Sequence, residues 1–246
     1  MNDRIDVIDA LRGFAMLWMT LYHFCFDLSH FGLWSQDFYG SGVWNWQRSA
    51  IVSLFLFCAG FSQAWVHYQG QSAQRFWRRW RQVAGCALLV SLGSWLMFPQ
   101  SWIYFGVLHG VALMLILVRQ SLAWGAWLWL AGLLAISSRL LFEDWLLPWT
   151  PANWQAWLNA PILNWIGWIS NKPITEDYVP VLPWIGVMCW GAASAHYLIR
   201  SGRVAYLQKV RSWPSLSRLG RWSLSYYMLH QPVLVAVVAT LAWALG

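Results

Sequence analysis

Apolar residues along this chain come in long runs separated by short polar joints. Seven runs stand out, at about 10–31, 43–66, 82–99, 102–118, 121–142, 179–199 and 222–245, each near the ~20 residues a helix needs to cross a bilayer. The pattern predicts an all-α, polytopic transmembrane helical bundle of about seven spans. The joints sort by charge. Arg4 and Arg12 sit at the start of the first span, and Arg75, Arg78, Arg79 and Arg81 between the second and third. Arg119 separates the fourth from the fifth, and Arg200, Arg203, Lys209, Arg211, Arg218 and Arg221 lie between the last two. The alternate joints hold few basic residues, chiefly Arg48 and Lys172. Lys and Arg gather on the cytoplasmic side of membrane proteins, so the N-terminus is expected in the cytoplasm and the C-terminus outside.

The joint 143–178 breaks the pattern. It carries Trp145, Trp149, Trp154, Trp157, Trp165 and Trp168 among prolines and asparagines. An eighth span at 153–170 would put one of the basic joints outside, so an interfacial or re-entrant helix is expected instead. Its tryptophans read either as membrane anchors or as a stacking wall for a sugar, and both readings stay open.

Composition agrees with the pattern. Charged residues are 10% of the chain, against roughly 25% in soluble domains, and the 23 tryptophans suit a chain with many membrane–water boundaries. A single integral membrane domain over 1–246 is expected, with no room for a soluble one. The net charge of +7 comes largely from the basic joints, so it reports topology and excludes a nucleic-acid surface as its explanation. No cleaved signal is expected, because Asp3, Asp6 and Asp9 occupy the region that should be basic. Cys25, Cys58, Cys86 and Cys189 stand singly in apolar runs and read as packed thiols without disulfides or a metal.

The first span carries chemistry that an apolar helix should avoid. Arg12 and His23 are eleven positions apart, close to three helical turns, so they share a face. Asp27 follows a turn later, and Asp9 and His30 fall within the same ~60° stripe. An Arg or Asp at the centre of a span costs about 2.5–3.5 kcal/mol, so such residues face a bundle interior or a wet cavity. Two other spans supply histidines: His109 in "IYFGVLHG" and His230 in "SYYMLHQP", both placed by helical rise near the depth of His23. Pro232 removes a backbone donor beside His230 and Gln231. In "TEDYVPVLPWIG", Glu176, Asp177 and Tyr178 are expected at the outer mouth, followed by Trp184. Interhelical hydrogen bonding is the duller reading for each histidine, snorkelling for Arg12, and helix capping for Asp177.

The opening "RIDVIDALRGFAMLWMTLYHFCFDL", with Arg12 and His23 separated by ten residues, is similar to the signature of transmembrane acyltransferases. With "SLFLFCAGFS", "IYFGVLHGVAL", "TEDYVPVLPWIGV" and "LGRWSLSYYMLHQPVL", nearly the whole chain resembles the bacterial proteins grouped with heparan-alpha-glucosaminide N-acetyltransferase. The resemblance implies transfer of an acetyl group from cytoplasmic acetyl-CoA, as co-substrate, to an amine or hydroxyl of an extracytoplasmic sugar or glycan. It implies a bacterial inner (cytoplasmic) membrane location with a periplasmic C-terminus. Arg12 and His23 are the matching first-span pair. The family's lysosomal members place a histidine after the first span, whereas 31–42 here has none, His30 standing at its edge.

On this reading the catalytic set is His23, Asp27, His109 and His230, with neutral His23 as base and Asp27 orienting it. Arg12, Arg78, Arg79 and Arg221 would hold the donor's phosphates, and Asp177, Tyr178, Trp184 and Gln231 the acceptor. The partners expected are acetyl-CoA, a carbohydrate acceptor and the lipid bilayer; a homo-oligomer is compatible with this set, and nucleic acid is not. A proton-coupled small-solute transporter using the His/Asp stripe is the alternative, though the inverted repeats common in transporters are not visible here.

Overall fold

The computed structural model describes residues 4–245; Asp3 lies outside them. Among the described residues the secondary structure is entirely helical. The helices are α1 (Asp6–His30), α2 (Gly42–Tyr68), α3 (Ala73–Met97), α4 (Val107–Ser121), α5 (Trp127–Leu141), α6 (Ala152–Asn159), α7 (Val181–Arg200), α8 (Val204–Lys209), α9 (Pro214–Arg221) and α10 (Ser223–Leu245). Each of the seven apolar runs contains one long helix.

Two boundaries differ from expectation. The third span's helix begins at Ala73 rather than 82, so Arg75, Arg78, Arg79 and Arg81 ride on its first turns instead of a loop. The cause is local: Gly70 takes the left-handed conformation (φ 75°) that ends α2, and Ser72 Oγ then accepts the Arg75 N–H and restarts the helix. The fourth span's helix begins at Val107 rather than 102. Residues 98–106 are instead tied up by irregular bonds: the Ile103 N–H donates to Ser94 Oγ, Thr175 Oγ1 to the Trp102 carbonyl, and Ser101 Oγ to Glu176. In the joint 143–178 the longest helix is the eight-residue α6. Trp145, Trp149, Trp154 and Trp157 there are exposed.

The chain divides into two compact units, one running up to Cys58 and resuming at Arg203, the other Ala59–Gly202; α2 contributes to both. In the first, α1 packs on α9 and α10. Gly13 and Gly220 allow the closest approach, since a Cβ on Gly13 would run into the Leu216 carbonyl and one on Gly220 into that of Asp9. Ser217 Oγ then donates to the Asp6 carbonyl across the same contact (3.0 Å). Met16, Met19, Tyr22, Phe38 and Ile51 form the buried cluster. In lipid, burial from water no longer drives such contacts, and close packing with hydrogen bonds takes over. In the second unit α5 and α7 cross at Gly132 and Gly186, where a Cβ on either would crowd the other's backbone.

Among the described residues, three helical segments are long and apolar enough to cross a membrane: Gly42–Tyr68, Val107–Trp124 and Ser223–Leu245. Helix α1 has the length but not the composition, because its polar stripe interrupts the apolar run. Its burial is inverted relative to a soluble helix. Leu11, Phe14, Leu17 and Leu21 are exposed, while Asp9 and Asp27 are only 8% and 3% exposed. Apolar outside and carboxylates inside is the arrangement that lipid demands.

Candidate active site

The first unit turns the α1 stripe toward α10. The His23 and His230 rings stand 5.3 Å apart, centre to centre. One turn further along α1, both Asp27 oxygens accept from Gln231 Nε2, at 3.0 and 3.3 Å. The carboxylate expected to orient His23 is thus held by Gln231. His230 Nδ1 lies 2.7 Å from the Tyr227 carbonyl. A carbonyl only accepts, so Nδ1 carries a proton, and in the neutral ring Nε2 keeps its lone pair. Nε2 is buried with no hydrogen-bond partner, and so is Gln231 Oε1.

The His230 ring is held on both sides of this bond. Tyr226 stacks on it, 6.0 Å away and nearly parallel. Thr20 Oγ1 spends its hydrogen on the Met16 carbonyl, so the 2.6 Å contact between Thr20 and Tyr226 must be donated by Tyr226. Tyr226 and Tyr227 precede His230 by four and three residues, the spacing of helix-face neighbours. That spacing is visible in "SYYMLHQP", but the donor and acceptor directions are not.

At the start of α1 the arginines are engaged. Arg12 Nη1 is 3.1 Å from Asp9 Oδ1 and 3.5 Å from the Gly220 carbonyl, and Nη2 is 3.4 Å from the Cys58 carbonyl. Arg221 reaches Asp6 at 3.3 Å and Asp9 at 3.8 Å. The Arg12–Asp9 pair is largely buried. It adds little net stability, yet removing one partner would strand a charge at a cost of about 3–5 kcal/mol.

His109, Asp177, Tyr178, Trp184, Arg78 and Arg79 belong to the second unit. His109 stands in the first turn of α4, at the edge of that candidate span and not at its middle, because the helix starts at Val107. Its Nδ1 accepts the Gly106 N–H (3.2 Å), so Nε2 must carry the proton. Nε2 then donates to Ser91 Oγ (3.0 Å), whose hydrogen goes to the Ile103 carbonyl (2.6 Å). Asp177 Oδ2 accepts the Val107 N–H at 2.7 Å. It caps α4 rather than the helix that follows it in sequence, and its negative charge suits that helix start. Tyr178 donates to the Asn164 carbonyl, and Asn164 Nδ2 to Tyr104 Oη. Burial pushes both phenols above their ordinary range. Trp184 is half-buried, and Arg78 and Arg79 are exposed. The spacing of residues in sequence carried no signal for Ser91 or Asn164, whose partners are distant along the chain.

A helical membrane protein with a buried imidazole of fixed tautomer, next to a second imidazole, has the groups for proton transfer away from water. The family model described as heparan-alpha-glucosaminide N-acetyltransferase, catalytic, matches residues 4–232. The chain therefore belongs to this acetyltransferase family. Among curated proteins and solved structures, nothing matches it. The family gives the transporter alternative no support.

Proposed function

We propose that the chain is one integral membrane acyltransferase domain that moves an acetyl group from acetyl-CoA to an amine or hydroxyl of an extracytoplasmic sugar. The family match runs through both compact units, which supports a single working domain over 1–246. The orientation proposed is N-terminus cytoplasmic and C-terminus periplasmic, in a bacterial inner membrane.

The observation that carries the mechanism is the buried Nε2 of His230, without a hydrogen-bond partner, beside His23. On this reading Nε2 takes a proton as the acceptor's nitrogen or oxygen attacks the thioester carbonyl. A bond forms from that atom to the acetyl carbon, and the tetrahedral intermediate collapses with loss of the C–S bond. The imidazolium then returns its proton to the departing CoA sulfur. His23 supplies the second imidazole of the pair, and Gln231 Oε1, oriented by Asp27, faces the acceptor. Arg12 and Arg221 are bound to Asp9 and Asp6, Arg78 and Arg79 are exposed on α3, and Asp177, Tyr178 and Trp184 shape the second unit. His109, with both nitrogens engaged, holds structure.

The test is acetyl transfer from labelled acetyl-CoA to a panel of hexosamines by the purified protein in detergent. Wild type would be compared with His23→Ala and His230→Ala. Turnover by wild type, lost in both variants with acetyl-CoA binding retained, is expected. A folded wild type that neither binds acetyl-CoA nor transfers acetyl would overturn the proposal.

A further inference from the structure

Arg119 has a guanidinium nitrogen that the described residues leave without a hydrogen-bond partner. It lies in the last turn of α4, and its guanidinium carbon sits 4.3 Å over the Phe76 ring of α3. Phe76 is 4% exposed. The side chain is therefore pinned, with Nη1 withdrawn from water and without a hydrogen-bond partner. The ring face and the partial negative charge of the α4 C-terminus offset some of this cost. Neither supplies an acceptor for Nη1, and a buried unmet donor is costly, more so when charged.

No carboxylate on the neighbouring helices can meet this need. From Asp37 to Glu143 the sequence holds no Asp or Glu, yet within that interval lie Arg48, Arg75, Arg78, Arg79, Arg81, Arg119 and Arg139. The acids of the second unit all fall in 143–177, where Glu143 pairs with Arg139 and Asp177 caps α4. Arg75, Arg78 and Arg79 ride on the same first turns of α3 as Phe76. Trp80 Nε1 ties those turns to α4 through the Ala112 carbonyl (2.8 Å). Among the described residues no hydrogen-bond acceptor meets Arg119 Nη1, which leaves it open to an acceptor from outside the chain.

We infer that Arg119, pinned on Phe76 beside the basic first turns of α3, is a phosphate-binding subsite. A guanidinium nitrogen with free N–H donors suits a phosphate oxygen. Two sources carry that group: a phosphate of a CoA nucleotide, and the headgroup of an anionic lipid. The inference rests on the proposed function only for the first source.

The experiment uses the full chain, as wild type and Arg119→Gln, with Arg119→Lys and Phe76→Leu as companions. One arm measures binding of CoA and of 3′-dephospho-CoA in detergent. The other compares melting in nanodiscs of phosphatidylcholine alone with nanodiscs containing phosphatidylglycerol. If the source is CoA, Arg119→Gln should weaken CoA binding by about tenfold, the value of one charge-assisted contact, with Arg119→Lys intermediate. If the source is lipid, the stabilisation by phosphatidylglycerol should vanish in Arg119→Gln while CoA affinity stays. If Arg119→Gln does not fold, Phe76→Leu carries the same two readouts, with the same losses expected at smaller size. Folded variants that match wild type in both arms would overturn the inference. Loss of the lipid response in a protein that transfers no acetyl group would keep the subsite and remove the proposed reaction.

Discussion

His230 and His109 look alike in sequence, each in a polar interruption of an apolar run, but the two regions use them in opposite ways. In the α4 region every hydrogen of the local circuit is accounted for. Gly106 N–H goes to His109 Nδ1, Nε2–H to Ser91, and the Ser91 hydroxyl to Ile103. In the α1–α10 region the circuit is left open. His230 Nδ1–H goes to Tyr227, and Nε2 ends on nothing. A closed circuit holds backbone in place; an open one, kept dry, stores an unmet acceptor whose cost only a ligand can recover. Ser91 and His109 also illustrate how proximity misleads. They sit at the distance of a nucleophile and its base, yet the Gly106 N–H fixes the tautomer in which Nε2 has no lone pair to offer.

The largest effect should come from exchanging the two histidines for alanine. His230→Ala is expected to lower turnover by about a hundred- to ten-thousand-fold, the usual worth of a positioned general base, with melting little changed. His109→Ala should keep turnover per folded molecule and lose about 1–3 kcal/mol of stability through the unmet Gly106 and Ser91 groups. The pattern reversed, with His109→Ala folded but inactive, would sink the comparison.

Gln231→Leu is the next test of the open region. It removes the donor from a buried carboxylate, and a loss of about 1.5–3 kcal/mol is expected, seen as a lower denaturation midpoint together with a higher acceptor KM. Asp177→Asn probes the closed region more gently. Loss of the charged cap on α4 should cost about 1 kcal/mol and leave acceptor KM unchanged; a raised KM would mean that Asp177 touches substrate after all.

The smallest effect concerns pH. Burial holds Tyr178 protonated above the ordinary phenol range, whereas the unfolded phenol ionises near ~10. Its contribution is thus present in full below that pH and shrinks as pH rises above it. Melting temperature measured from pH 8 to 11 should fall less steeply in Tyr178→Phe than in wild type. Equal slopes would remove the buried phenol from the account.

Much of the architecture follows from local rules that act along the chain. Runs of apolar residues near bilayer length become helices because lipid leaves backbone groups no other partner. The eleven-residue spacing of Arg12 and His23 puts both on one face through the fixed helical turn. Buried Asp27 was legible for the same reason, since a carboxylate in a span must turn inward. Other features depended on which segments meet. That His230 faces His23 requires α10 to pack against α1, contributions separated by most of the chain. That Asp177 caps α4 arises from a loop crossing a helix start, and that Arg12 is enclosed by Asp9, Gly220 and Cys58 arises from α9 and α2 meeting α1. Periodicity determined which residues share a face, because it is set by the covalent geometry of one helix. Only the tertiary structure decided which nitrogen of each histidine carries the proton, because a tautomer is chosen by the partner across the contact.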